Sequence, residues 1–553
     1  MDRATVTVTL IKRTERKIWR PTCSSASEMP FRIPVIGRLG FTEYQSLVLA
    51  LMFFFFEALI RLMVMFIPQF VLRFINQVIY AAFPWSHRNQ SKPRVNKLER
   101  AGSFEDMARF WGYDFVEQHS VQTQDRYLLC LHRLPYGKRE RDPKMNSGKR
   151  RSRTRSASIV ASTAVVDNIT NFIGVKEPVL PNLQDSATPN FFDHRSRDVS
   201  RKRGVWNGKP VVLLNHGFLM SSEIWLCNLK ESENLPFLLA ERGCDVWFAN
   251  ARGNKYSQQH MYKRPQSQPY WEFSLNEMAL YDLPDVVDYI LETTGAPSLT
   301  YIGFSQGTAQ AFAALSINPR LNDRINLFIA LAPATTPSGL HHPVIDAFVK
   351  ATPNVIYLLF GRKSPLQIAN FWRRILSPPI FVKLIDMSCN FLFGWTGRNM
   401  SDAQKLVSYQ HLYSPTSVKC LVHWFQIIRT GRFQMYDEIP NLLPYRSEQG
   451  AMDHIPQRFP TKQIKTPIAI FYGGSDSLVN FEVLSADLPE LAYVKYIAEW
   501  EHLDFLWAEG IELHVWPDVI RLVDSFSPTK ADKSEALEKR AHTNGYAVNG
   551  QAA

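Results

Sequence analysis

Apolar residues in the second half of the chain fall into short continuous runs separated by segments with helical spacing. The runs include VVLLN, CDVWFAN, SLTYIGF, INLFIAL, TPIAIFY and AYVKYIA, each about as long as a buried strand. Residues 276–294 carry apolar positions at helical intervals, and TAQAFAALS also reads as a helix. This alternation predicts an α/β protein whose mainly parallel central sheet is buried on both faces.

One turn between a predicted strand and a predicted helix has the pattern of a nucleophile elbow. Gly303-Phe304-Ser305-Gln306-Gly307 follows the strand LTYI and precedes the helix TAQAFAALS. Two glycines permit a tight, strained turn that lifts the serine hydroxyl above the sheet. The pattern therefore makes Ser305 a candidate nucleophile.

A serine nucleophile needs a base, and the base needs an orienting acid. Asp476 follows the strand IAIFYGGS, 171 residues after Ser305, and His502 lies 26 residues further on, after AYVKYIAEW. Both follow predicted strands, where open α/β sheets place their chemistry. Asp476 could instead form a turn in GGSDS, and Asp504 could be the acid. Asp504 is disfavoured because it is only two residues from His502.

Backbone N–H groups that could hold an oxyanion are predicted at two places. The residue after the nucleophile, Gln306, supplies one donor, and the loop after an early strand supplies another. That loop reads Asn215-His216-Gly217-Phe218, and the N–H of Phe218 is the candidate. His216 could act as a second base, although its place beside a glycine favours a role in shaping the turn.

About 125 residues between ALAPATTPSGL and TKQIKTP interrupt the strand–helix rhythm. They are rich in aromatic residues and mainly helical in pattern. An insertion just before the acid-bearing strand predicts a cap or lid over the site, with an apolar inner face. Additional core packing is the alternative.

A long apolar segment occupies residues 44–85. The 21 positions from Leu47 to Ile67 would make a helix of about 31 Å, roughly the hydrocarbon thickness of a bilayer. Glu57 and Arg61 lie four residues apart and can partly neutralise each other, and Pro68 can kink or end the helix. The segment predicts a membrane anchor, either spanning or bent back as a hairpin, rather than a cleaved signal peptide. A buried globular helix is the alternative.

Charge is distributed unevenly along the 553 residues, whose net charge is +12. Residues 1–203 carry a net +15 and the rest a net −3. Basic residues after the apolar segment outnumber those before it, which predicts a cytosolic catalytic body and unused glycosylation triplets at Asn89, Asn168 and Asn399. No recognised nucleic-acid-binding fold accompanies the charge, so we expect no nucleic-acid partner.

A basic insert at 136–204 lacks helical or strand periodicity and is predicted to be disordered. It holds nine Lys/Arg between Lys138 and Arg155. It is either a solvated loop or a segment that contacts anionic headgroups, at about 1 kcal/mol per basic residue. Ser158 follows Arg153 and Arg155 at a spacing that basic-directed kinases favour, so it is a possible phosphorylation site.

Cysteine is sparse, with six residues and no Cys/His spacing of a zinc site. The pattern predicts buried free thiols rather than a disulfide framework. We expect neither a metal nor an organic cofactor.

Several stretches together resemble the acid lipase family, which includes lysosomal acid and gastric lipases and membrane-anchored fungal steryl ester hydrolases. They are GYDFVEQHSVQTQDRYLLCLHRLP, LLNHGFLMSSEIW, FANARGNKYS, WEFSLNEMALYDLPDVVDYIL, GFSQGT, and YGGSDSL with EHLDFLWA.

The resemblance implies an α/β-hydrolase that cleaves carboxylic esters of neutral lipids. It assigns the nucleophile to Ser305, the acid to Asp476, the base to His502, and the donor pair to Phe218 and Gln306. A Leu is common in the family where Phe218 stands, which a backbone donor tolerates. The apolar anchor and the basic insert resemble the fungal membrane-bound branch, at lipid droplets or the endoplasmic reticulum.

Steryl esters are therefore the expected substrate. A triacylglycerol lipase is the alternative within the same class, because pocket width cannot be read from the sequence. A non-catalytic membrane or lipid-droplet tether that has kept the fold is the alternative outside it.

The predicted organisation divides the chain into eight segments. They are a cytosolic tail (1–43), the anchor (44–85), a lipase-associated region (98–135), the basic insert (136–204), the first half of the hydrolase core (205–333), the cap (334–460), the second half of the core (461–526) and a disordered tail (527–553).

Overall fold

The computed structural model describes residues 93–138, 140, 204–337, 339–340, 343–350, 353–365, 371–373, 375–438 and 456–528, together with eight positions between 44 and 59. Several predictions lie outside the described residues. They concern the tail 1–43, most of the apolar segment 44–85, most of the basic insert 136–204 with Ser158, and most of the tail 527–553.

Within the described residues, nine strands form one mixed, mostly parallel sheet in the order β1-β2-β4-β3-β6-β7-β8-β9, with β5 paired to β2. Strand β2 is antiparallel to β1, β4 and β5, and all later pairs are parallel. The strands are β1 Glu117–Gln122, β2 Tyr127–Leu134, β3 Val211–Asn215, β4 Asp245–Ala249, β5 Gln259–His260, β6 Leu299–Phe304, β7 Ile325–Leu331, β8 Ile468–Gly473 and β9 Tyr493–Ile497.

Helices precede, connect and follow these strands. The α-helices are α1 Pro93–Glu99, α2 Phe104–Phe110, α3 Leu235–Glu241, α4 Leu275–Glu277, α5 Leu283–Thr294, α6 Gln306–Ile317, α7 Pro319–Asn322, α8 Pro343–Lys350, α9 Pro353–Phe360, α10 Pro378–Phe393, α11 Asp402–Leu412, α12 Val418–Thr430, α13 Phe481–Ala486, α14 Asp504–Trp507, α15 Ile511–His514 and α16 Trp516–Phe526. Short 3₁₀ helices span Ser222–Leu226, Glu231–Glu233, Gln268–Trp271 and Thr461–Gln463.

The central strands are buried on both faces, as their continuous apolar runs predict. In β3, Val212 and Leu214 belong to one hydrophobic cluster, whereas Val211 and Leu213 belong to the other. Successive strand residues point to opposite faces, so each strand contributes to two cores. Helices α3 and α16 cover the first face, and α5 and α6 cover the second. The result is a three-layer α/β arrangement.

The predicted helix over 276–294 is interrupted. Met278–Asp282 forms a π-helical turn between α4 and α5. The carboxylate of Asp282 accepts hydrogen bonds from Nε (2.9 Å) and Nη2 (2.6 Å) of Arg252, which is fully buried. Apolar periodicity alone does not reveal such a turn, because a π-helical turn inserts one extra residue while the apolar side chains still face the core.

The predicted cap segment contains helices α8 to α12, inserted between β7 and β8. Helices α10 and α11 contribute to the first core cluster, and α12 contributes to the second. A separate small cluster joins α8, α9 and α12 through Phe348, Val355, Ile356, Val418 and Val422. The insertion therefore packs on the body through α10, α11 and α12, whereas α8 and α9 share a small cluster with α12.

Eight described residues near the start of the predicted anchor are helical: Tyr44, Gln45, Val48, Leu51, Met52, Phe55, Phe56 and Leu59. Tyr44 packs against the small cluster of the insertion, and the six apolar residues from Val48 to Leu59 are exposed. Within the part of the chain that the structure describes, no helix is both long and apolar enough to cross a membrane.

The described cysteines are free thiols, in agreement with the sequence. Cys130, Cys227, Cys244 and Cys420 are buried, and Cys389 is partly buried. Burial raises the pKa of these thiols, so they remain protonated at neutral pH.

Candidate active site

Ser305 stands at a strained turn between β6 and α6. Its backbone has φ of 53° and ψ of −119°, a region that residues with a side chain rarely adopt. A Cβ added to Gly303 would lie 2.9 Å from the carbonyl carbon of Gly307. A Cβ added to Gly307 would lie 2.8 Å from the carbonyl oxygen of Asn215. The turn therefore requires both glycines, as the elbow pattern predicts.

His502 and Asp476 are buried side by side in the loops that follow β9 and β8. Nδ1 of His502 lies 2.7 Å from Oδ2 of Asp476. Oδ1 of Asp476 also accepts the N–H of Leu478 at 2.9 Å, which fixes the carboxylate. Because an ionised carboxylate only accepts hydrogen bonds, Nδ1 carries the proton and Nε2 is left with a free lone pair.

Nε2 of His502 is buried and has no hydrogen-bond partner among the described residues. The ring of Phe304, next to Ser305, lies 5.1 Å from the imidazole between centroids. The structure thus brings the base close to the elbow without a hydrogen bond between Ser305 and Nε2. Such bonds are often long before a substrate binds.

Asp504, the alternative acid, makes different contacts. Its Oδ2 accepts the amide of Asn399 at 2.7 Å and the N–H of Glu501 at 2.6 Å. Burial raises the pKa of Asp504 to about 6, and the nearby carboxylates of Glu501 and Asp476 act in the same direction. Asp504 therefore organises the loop around His502, and Asp476 contacts the imidazole.

The two predicted oxyanion donors lie on segments that meet beside Ser305. A Cβ added to Gly217 would lie 3.2 Å from Cβ of Ser305, so the loop carrying Phe218 approaches the elbow closely. Within the described chain, neither the N–H of Phe218 nor that of Gln306 has a backbone acceptor. Both N–H groups are consequently available to a ligand oxygen.

His216 has the turn-shaping position that the sequence favours. Its Nδ1 donates to the carbonyl of Gly217 at 2.8 Å, and its Nε2 accepts the N–H of Ala251 at 3.0 Å. The side-chain amide of Asn254 also lies 3.1 Å from Nε2. Burial lowers the pKa of His216 to about 4. It stays neutral, and both ring nitrogens are already used.

Two tryptophans of the insertion reach the site, and sequence reasoning missed both. Nε1 of Trp424 donates to the side-chain oxygen of Gln306 at 2.8 Å. Trp395 stacks on His502 with 5.3 Å between ring centroids and 9° between planes. The sequence does not show which residues an aromatic side chain in a helical segment will contact, so only the folded chain reveals these contacts.

The described residues contain no group of three or more His, Cys, Asp and Glu side chains arranged to hold a metal ion. The site is built instead from a hydroxyl, an imidazole, a carboxylate and free backbone N–H groups. This set suits acyl transfer, in which a serine attacks a carbonyl and an oxyanion forms.

Comparison with known proteins agrees with this geometry. Residues 210–509 match the family described as the alpha/beta hydrolase fold, and residues 104–158 match the partial alpha/beta-hydrolase lipase region. Probable lipase C1672.09 of Schizosaccharomyces pombe is 38% identical over 93% of this chain and 98% of its own. Human gastric triacylglycerol lipase is 31% identical over 75% of this chain and 89% of its own. The chain therefore belongs to the lipases of the α/β-hydrolase fold and is a carboxylic ester hydrolase.

Proposed function

We propose that this protein hydrolyses esters of neutral lipids, with steryl esters as the preferred substrates. Ser305 is the nucleophile, His502 the general base and Asp476 the orienting acid. The observation that carries the proposal is the pair of His502 and Asp476. Nε2 of His502 is buried and unpaired, and its ring lies 5.1 Å from that of Phe304, which precedes the strained serine. The resemblance of the apolar and basic N-terminal segments to the fungal membrane-bound branch supports steryl esters.

The proposed reaction passes through an acyl-serine intermediate. The hydroxyl oxygen of Ser305 attacks the ester carbonyl while Nε2 of His502 takes its proton. The N–H groups of Phe218 and Gln306 hold the oxyanion, and Asp476 stabilises the imidazolium. The tetrahedral intermediate collapses to an acyl-serine as His502 returns its proton to the departing sterol oxygen. Water, activated by His502, then releases the fatty acid and restores Ser305.

The test compares hydrolysis of cholesteryl oleate and triolein by the full-length protein and by Ser305→Ala, both in detergent. We expect faster hydrolysis of cholesteryl oleate, loss of nearly all turnover in the variant, and fluorophosphonate labelling of the wild-type protein only. Unchanged turnover in Ser305→Ala would refute the nucleophile assignment. If the wild-type protein hydrolyses neither ester and does not accept the fluorophosphonate label, the non-catalytic membrane or lipid-droplet tether would be favoured instead.

A triacylglycerol lipase is the second candidate. Human gastric triacylglycerol lipase, 31% identical to this chain, acts on that substrate according to its name. Preference for triolein over cholesteryl oleate in the same assay would select this alternative.

The proposed lid is the part of the insertion formed by α8 and α9. Helices α11 and α12 are attached to the body, through His411 to Glu223 (2.9 Å), Ser417 to the carbonyl of Phe273, and Trp424 to Gln306. Helices α8 and α9 instead pack in the small cluster with α12. We expect α8 and α9 to exchange amide hydrogens faster than α11 and α12 when detergent is added, and equal protection would contradict this division.

Membrane attachment through residues 44–85 is also proposed, on lipid droplets or the endoplasmic reticulum membrane with the catalytic domain in the cytosol. Exposed apolar residues such as Phe55 and Phe56 support contact with lipid. At the triplet Asn399, Nδ2, where a glycan would attach, donates to Asp504 and to the carbonyl of Glu499.

A glycan on Asn399 would disturb the loop beside His502, which supports a cytosolic location. We therefore expect fractionation to place the full-length protein with droplets or membranes, and protease added to intact vesicles to digest the catalytic body. A change in mass after deglycosylation would contradict this location.

A further inference from the structure

Trp395 joins the insertion to the proposed base. It follows α10 directly after Gly394, and its indole lies nearly parallel to the imidazole of His502, with 5.3 Å between centroids. Phe393 also stacks on Trp395, with 4.4 Å between ring centroids and 23° between planes. Trp395 is buried. The indole therefore contacts both Phe393 and the imidazole of His502.

The residues after Trp395 are hydrogen-bonded to the loop that carries His502. Oε1 of Glu501 accepts the N–H and the hydroxyl of Thr396, each at 2.8 Å, and Oε2 accepts the N–H of Gly397 at 2.8 Å. Glu501 is itself buried and immediately precedes His502. These bonds keep the position of the indole fixed relative to the imidazole.

The hydrogen bond from His502 to Asp476 does not by itself prevent one motion of the imidazole. A single contact at Nδ1 fixes one point of the ring, and the ring can still tilt about the axis joining Nδ1 to Oδ2. A flat aromatic neighbour opposes that tilt, because tilting would break the stack. It also favours the positively charged imidazolium that forms during the reaction.

We propose that Trp395 is a positioning residue that holds the imidazole of His502 in the plane required for proton transfer from Ser305. The proposal rests on the proposed role of His502 as base. It gives the insertion a second role besides covering the site, since the segment 395–397 must stay in place while the base works.

The test uses the full-length protein and a soluble ester, p-nitrophenyl butyrate. Trp395→Leu fills space without an aromatic face, and Trp395→Phe keeps the face but lacks the indole N–H. We expect Trp395→Leu to lower kcat by about 10- to 100-fold with little change in KM, since a misplaced catalytic group costs rate rather than binding. Fluorophosphonate labelling of Ser305 should slow in parallel.

Trp395→Phe should restore most of the lost rate. The indole Nε1 has no hydrogen-bond partner among the described residues, so only the aromatic face is expected to matter. Unchanged kcat in folded Trp395→Leu, or a Phe variant no faster than the Leu variant, would overturn the proposal.

Two further variants complete the experiment. If Trp395→Leu does not fold, Glu501→Gln replaces it, because an amide N–H would face the N–H of Gly397 and loosen the segment that carries Trp395. A fall in kcat at constant KM supports the proposal, and unchanged kcat refutes it. His502→Gln distinguishes the role of His502 as general base from the role of Trp395 as positioning residue. Turnover by His502→Gln would refute the general-base role. An inactive His502→Gln together with a fully active Trp395→Leu would refute only the positioning role.

Discussion

Nδ1 of His502 lies 2.7 Å from Oδ2 of Asp476, although 26 residues separate them in the chain. The contact is possible because β8 and β9 are adjacent parallel strands, with Gly473 opposite Ile497, so their following loops meet at one edge of the sheet. Both side chains are buried, which strengthens their electrostatic interaction. The proposed mechanism depends on this pair. Substitution of the neighbouring Asp504 tests whether the requirement is specific to Asp476.

We expect Asp476→Asn to lower kcat by about 10³- to 10⁴-fold, because the amide presents the wrong group to Nδ1 and favours the wrong imidazole tautomer. Asp504→Asn is the matched control, since an amide oxygen can still accept from Asn399 and Glu501. It should keep kcat within a few-fold of wild type. Steady-state hydrolysis of p-nitrophenyl butyrate measures both. Equal losses in the two variants would show that Asp476 has no special role.

The stability of the protein should depend on pH through Asp504. Burial raises its pKa in the folded state to about 6, from an ordinary value of 3.8. As pH rises from about 4 to about 6, Asp504 loses its proton in the unfolded chain before it does so in the folded protein. The stability that protonated Asp504 contributes is therefore complete below about pH 4 and is lost as pH rises to about 6.

Urea denaturation at pH 4, 5, 6 and 7 measures this effect. Asp504→Asn should gain stability relative to wild type over that range, by on the order of 1–3 kcal/mol. A constant difference between the two proteins across all four pH values would be incompatible with the raised pKa.

Gly307→Ala should disrupt the elbow. The new methyl group would lie 2.8 Å from the carbonyl oxygen of Asn215 and 2.9 Å from that of His216, both backbone atoms that cannot move independently. We expect the free energy of unfolding to fall by about 1–3 kcal/mol and fluorophosphonate labelling to be largely lost. Gly102→Ala, whose methyl group would lie 3.5 Å from a side-chain oxygen of Asp106, should be close to neutral.

Removal of the buried guanidinium of Arg252 should lower the free energy of unfolding substantially. It donates to Asp282 and Asp125 and lies 4.2 Å over the ring of Tyr127. Arg252→Met would leave a buried carboxylate without its partner, and we expect a loss of about 3–5 kcal/mol in urea denaturation. Arg109→Met, which removes an exposed pair with Asp106, should cost less than about 1 kcal/mol.

The sequence by itself determined the features that depend on local pattern. The continuous apolar runs predict the buried strands β3, β4, β6, β7 and β8, because each must pack on both faces. The glycines around Ser305 predict the strained turn, because a side chain at Gly303 or Gly307 would collide with backbone. The order of Ser305, Asp476 and His502 identifies three candidates for one site, because strand ends converge in this class of sheet.

Tertiary structure decided the contacts between residues far apart in the chain. It selected Asp476 over Asp504 at the imidazole, and it brought Trp395 and Trp424 from the insertion to His502 and Gln306. These outcomes depend on how loops and inserted helices pack against the sheet. Hydrophobic periodicity records which residues are buried but not which partner each will meet, so distance and orientation emerge only when the layers come together.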